Sequence, residues 1–170
     1  DHPLCLIDFE GGRSRLAVPL ASGNRDTVRS HMESVKAAGK TPISACLTVA
    51  QEQIAARRAE HSPYERHVVV IFTDGYETVD VRGNPGVAAD VVALRELGVE
   101  VVGIGFHGEG DYLAPAATRY FHADNEQELL ASLSEVDAEI GDDAEIQLTE
   151  EDLRLIAATE IPLPAAPAAE

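Results

Sequence analysis

Two apolar runs constrain this chain more than anything else in it. Val68-Val69-Val70-Ile71-Phe72 has no polar residue, and residues 99–105 are broken only by Glu100. A strand wetted on one face alternates apolar and polar residues, whereas a continuous run needs cover on both faces, as in parallel sheets flanked by crossover helices. Between the two runs Val87, Val91, Leu94 and Leu97 recur at helical spacing, and Gly98 supplies a C-terminal stop. The expected class is therefore α/β: a three-layer, doubly wound, mostly parallel sheet. A length of 170 residues holds one such domain and little more.

The remaining elements follow from local patterning. Residues 4–9 read as a strand closed by Gly11-Gly12, and residues 14–20 as its hairpin partner. Pro19 cannot donate to a ladder, which puts that partner at an edge. Asn24 is placed to cap a helix bearing Val28, Met32 and Val35 on one face. Thr41-Pro42 reads as the start of another, carrying Ile43, Cys46, Leu47, Ala50 and Ile54 as far as about Arg58. Gly83, Pro85 and Gly86 read as loop. A brief strand is expected over 119–122, and Asp124 with Gln127 suggests a capping box for a last helix through Leu129, Leu130, Leu133, Val136 and Ile140. Beyond Gly141, Thr149-Glu150-Glu151-Asp152 opens a short helix, and Pro162, Pro164 and Pro167 mark a stiff or disordered tail. The division is a domain at 1–141, a helical extension at 142–158 and a Pro/Ala-rich linker or tail at 159–170.

Charge narrows the function. Thirty carboxylates against 13 basic residues give a formal net charge of −17, which excludes non-specific nucleic-acid binding, since phosphate recognition needs a basic face. No run is long enough to cross a membrane as a helix. The only lysines are Lys36 and Lys40, a texture that fits either a high-salt cytoplasm or an arginine-rich, high-GC genome. Cys5 and Cys46 fall on apolar faces with no CxxC, so reduced core thiols are expected and the cytoplasm is the favoured location.

Several segments invite chemical readings. Gly39-Lys40-Thr41 resembles the end of a phosphate-binding loop, but Ser34 stands where that loop needs glycine and a helix precedes it in place of a strand. His107, Glu109 and Asp111 sit in one loop, better read as solvated than as a metal site. His61 and His67 flank a surface loop without zinc-ligand spacing. Thr41 and Asp74 form the more informative pair. Asp74 ends an apolar strand and Thr41 begins a helix, the places where open α/β sheets hold ligands. A hydroxyl and a carboxylate are hard oxygen donors that suit Mg²⁺. Taken alone, however, Thr-Pro is an ordinary helix start and Asp-Gly an ordinary turn.

The order of segments adds context. A strand and its hairpin partner, a helix, Gly39-Lys40-Thr41-Pro42-Ile43 with Ala45 and Leu47 behind it, 68–75, 98–105, Arg119-Tyr120-Phe121-His122 and the helix from Asp124 together resemble the von Willebrand factor type A (VWA) domain. The resemblance runs from about residue 4 to 140 and implies a Rossmann-like fold. It also implies a metal-ion-dependent adhesion site (MIDAS) built from D-x-S-x-S, a threonine matched by Thr41 and an aspartate matched by Asp74. The D-x-S-x-S is absent. Asp8-Phe9-Glu10-Gly11-Gly12 matches the family's second strand and its turn instead. The family's first strand lies between the two strands that residues 4–9 and 68–72 would form, so the expectation is an N-terminally incomplete domain in which those strands are separated or pair directly. The function the resemblance implies is a non-enzymatic binding module, its Mg²⁺ weakly held or absent in this chain and its open position filled by a carboxylate from a protein partner. The alternative is a VWA-bearing subunit of an ATPase-driven assembly such as a metal chelatase. A metal-dependent hydrolase would need a general base beside Asp74 that the sequence does not identify.

Overall fold

The computed structural model describes residues 2–34, 40–62, 65–106, 110–125 and most of 127–136. The chain opens with an antiparallel hairpin of β1 (Leu4–Glu10) and β2 (Arg13–Ala21). Gly11 and Gly12 take φ of 60° and 81°, the left-handed conformation that a two-residue hairpin turn requires at both positions. Pro19 lies on β2, which among the described residues pairs only with β1, so the proline is at an edge as expected. Helix α1 (Arg25–Ser34) follows, then α2 (Ile43–Glu60).

The second sheet is parallel, in the order β3-β4-β5, with β3 at Val68–Thr73, β4 at Glu100–Phe106 and β5 at Arg119–Ala123. Helix α3 (Gly83–Glu96) makes the β3–β4 crossover, and Gly98 ends it at φ 73°. The core sits where α2 and α3 cover one face of this sheet: Ile43, Leu47 and Ile54 meet Ile71, Val87, Val91, Leu94, Val99, Val101 and Leu113. The glycines of β4 make room for its neighbours. A Cβ on Gly105 would collide with the Tyr120 hydroxyl, and one on Gly103 would fall 3.1 Å from the same ring.

The strands of residues 4–9 and 68–72 do not pair; they belong to separate sheets. The α/β class and the parallel sheet stand, but several local readings change. The outer face of β3 is open, with Val70 and Phe72 43% and 53% exposed, so its apolar run is covered on one face only. Helix α3 begins earlier than expected: Gly83 to Gly86 form its first turn, where Pro85 needs no donor. Asn24 does not cap α1 with its side chain; its amide donates to the Leu4 and Pro19 carbonyls and ties the two ends of the hairpin together. Met32 is exposed and Val28 half-buried, so α1 seals little. The final helix is capped one residue later than expected, by Asn125 Oδ1 accepting from Glu128 N while the Glu128 carboxylate accepts from Asp124 N. Val35, Leu130, Leu133, Ile140, the expected helix at 142–158 and the tail at 159–170 lie outside the described residues.

Candidate metal centre

Three loops converge beside the carboxyl end of β3. The hairpin turn comes near the other two, since a Cβ on Gly12 would lie 3.4 Å from Lys40 Cβ and 3.5 Å from Val79 Cγ2. The loop before α2 and the loop after β3 are bound to each other directly: Thr41 N donates to Thr78 Oγ1 (2.8 Å), and Thr78 N donates to the Thr41 carbonyl (3.1 Å). The Thr41 hydroxyl oxygen lies 3.8 Å from where a Gly75 Cβ would stand, within ordinary van der Waals contact of the turn that carries Asp74. Sequence separates Thr41 from Asp74 by more than thirty residues, and the fold places their segments side by side.

Neither residue's side chain serves the helix cap or the turn itself. If Thr41 were only a helix cap, its hydroxyl would bind the first amides of α2. Pro42 is the N-cap residue instead, and no side chain of its own caps the helix there. The Ser44 amide is taken by the Glu77 carboxylate at 2.9 Å, from across the loop. If Asp74 were only a turn residue, its carboxylate would brace the turn. Thr73 does that work: its hydroxyl accepts from Gly75 N (3.2 Å) and donates to the Gly75 carbonyl (2.9 Å). Neither Thr41 Oγ1 nor the exposed Asp74 carboxylate makes a hydrogen bond to another described residue. Two hard oxygen donors are thus left to solvent beside a glycine, a set that fits a share of a hydrated Mg²⁺ or similar ion and not a soft metal.

Glu77 is the residue that sequence reasoning missed. It is 7% exposed, with Oε2 on Ser44 N and Oε1 accepting from Val79 N (2.7 Å) and Asp80 N (3.0 Å). Its own amide donates to Asn84 Oδ1 at the start of α3. No periodicity marks an acid in a loop as buried, and only the approach of α2 makes it so. Burial pushes the Cys46 thiol up to about 11, with Glu77 and Asp8 adding to the shift. Burial likewise lifts the Tyr112 phenol to about 12.

The other sequence candidates lie elsewhere or serve the scaffold. Asp8, in the segment lacking the serines of D-x-S-x-S, is taken by Arg15 and by His31 Nε2 (2.8 Å), and hydrogen bonding to Arg15 holds its carboxyl down at about 2. Asp111 accepts from the Tyr120 hydroxyl at 2.7 Å. His107 and Glu109 lie outside the described residues. His67, at the far end of its loop, is buried, and desolvation lowers its pKa; His61 is exposed. Both cysteines are free. Among the described residues no three His, Cys, Asp or Glu side chains gather as a metal site, so any ion at this end relies on hydroxyl and water oxygens as well. No described helix is long and apolar enough to cross a membrane.

A comparison with curated protein sequences finds no match. Solved structures do resemble this one. Manganese-loaded TRAP protein from Plasmodium vivax aligns with a TM-score of 0.56 at 18% identity, covering 72% of this chain and 53% of the other. Proximal thread matrix protein 1 from the mussel byssus aligns at 0.57 and 20% identity, over 77% of this chain and 34% of that one. Its form with a zinc-occupied MIDAS motif aligns at 0.54 and 21%, over 79% and 33%. This chain thus spans about half the length of the first and a third of the second. At such identities the likeness establishes the fold. The sequence pattern of the von Willebrand factor type A domain matches residues 7–142, and the chain belongs to that family.

Proposed function

We propose that the chain is a divalent-cation-dependent protein-binding module in which Thr41 and Asp74 hold the ion, with Mg²⁺ as the resident metal. The observation that carries this reading is a division of labour among neighbouring side chains. Glu77 and Thr73 perform the capping and turn-bracing that the two candidate ligands would otherwise perform, and the ligand oxygens are left unused. Structural relatives with manganese loaded and with a zinc-occupied MIDAS motif agree with a divalent ion as the ligand.

An ion held by one carboxylate and one neutral hydroxyl keeps most of its water and a net positive charge. It supplies what a chain of net charge −17 lacks, a local point that attracts a partner's carboxylate. The loop that carries Asp74 also presents Tyr76, Val79 and Val81 to solvent, with Val81 fully exposed, apolar surface of the kind a protein partner covers.

Calorimetric titration with Mg²⁺ and Mn²⁺ tests the reading. Weak but saturable binding is expected, reduced at least tenfold by Asp74→Ala with an unchanged thermal midpoint. Binding that survives both Asp74→Ala and Thr41→Ala, or no saturable binding at all, overturns it.

A further inference from the structure

We propose that Glu77 is the positioning residue of this site: its buried carboxylate sets the separation between the loop of Thr41 and the loop of Asp74. The inference rests on the metal-binding reading for its purpose, but its geometry stands by itself. Glu77 lies three residues after Asp74 and contacts Ser44, three residues after Thr41. One oxygen holds the first turn of α2 and the other gathers the amides of Val79 and Asp80. The side chain therefore closes a ring with the Thr41–Thr78 pair, and both candidate ligands hang from that ring.

The chemistry of the group matters. Three converging N–H donors need two acceptor oxygens, and a carboxylate is acceptor-only at both. Glutamine would turn one N–H₂ toward the amides it should accept from. No cationic side chain pairs with Glu77 among the described residues; its charge is met by backbone amides and by the positive end of the 18-residue helix α2. That charge reaches its surroundings, since it helps to raise the Cys46 thiol. A buried anion behind the two ligands both fixes their spacing and favours a cation in front of them.

The test compares the full chain with Glu77→Gln and Glu77→Asp by amide hydrogen exchange and by Mn²⁺-induced broadening of the amide signals. Glu77→Asp keeps the charge but shortens the reach by one methylene, and it decides the matter where Glu77→Gln fails to fold. The expected result is at least tenfold faster exchange at the Thr41 and Thr78 amides, which Glu77 does not itself bind, with core amides of β4 unchanged. Mn²⁺ broadening that strikes the Thr41 and Asp74 loops together should need at least tenfold more metal in the variants. Unchanged exchange at Thr41 and Thr78 overturns the proposal. If the unaltered chain shows no Mn²⁺ broadening at either loop, the metal reading fails, and amide exchange still decides whether Glu77 holds the two loops together.

Discussion

β3 and β4 are written in nearly the same alphabet, yet the fold treats them differently. Val70 pairs with Val102 and Phe72 with Ile104, so each couple stands side by side on one face of the sheet. Val102 and Ile104 are 2% and 0% exposed, against 43% and 53% for Val70 and Phe72. One difference is lateral: β4 has a strand on each side, whereas β3 has a described partner on one side only, and the Phe106 ring lies 6.3 Å from Phe72. An apolar run states a demand for cover, and the position of the strand in the sheet decides how fully that demand is met.

The largest expected effect separates the two strands directly. Ile104→Asp would bury a carboxylate without a partner and should abolish the cooperative transition, because the cost of several kcal/mol approaches the whole stability of a domain. Phe72→Asp, on the open face, should cost about 1 kcal/mol or less. Equal losses in urea melts would mean that the outer face of β3 is covered after all.

Gly105→Ala comes next and probes β4 alone. Its Cβ would collide with the Tyr120 hydroxyl and meet the Gly110 backbone at 2.9 Å. Displacing both should cost about 1–3 kcal/mol. Gly105→Ala in a Tyr120→Phe background should recover part of that loss in the same melts, and no recovery would shift the blame to the Gly110 backbone.

His67 lies just before β3 and gives that strand a pH dependence. Burial depresses its pKa, first by desolvation and then through Arg58. The unfolded chain therefore takes up a proton before the folded one does, so stability is full above the ordinary histidine pKa of about 6.5 and declines as pH falls through it. His67→Gln should flatten stability between neutral pH and about pH 5 in thermal melts. An unaltered slope would place the titrating group elsewhere.

The smallest stability effect is expected just past the other end of β3. Asp74→Ala removes an exposed carboxylate with no described hydrogen bond and should change stability by no more than about 0.5 kcal/mol. Thr73→Val, one residue earlier, removes the hydroxyl that braces the turn and should cost about 1–3 kcal/mol. The reverse ranking would make Asp74 a scaffold residue and remove it from the proposed site.

What was legible in the sequence is local in origin. Apolar runs and helical spacing encode a demand for burial that each segment carries wherever it is placed, so β1 to β5, the bodies of α2 and α3, the Pro19 edge and the Gly98 stop are readable along the chain. Thr41 and Asp74 could be singled out as candidates because residue type and segment order are both visible there too. Tertiary structure alone decided which groups satisfy which: that Glu77 and not Thr41 binds the Ser44 amide in the first turn of α2, that Asn24 spends its side-chain amide on β1 and β2, and that β3 is open where β4 is sealed. The physical reason is that a hydrogen bond or a covered face needs a partner in space. Such partners come from loops tens of residues away, and no period or propensity along the chain records them.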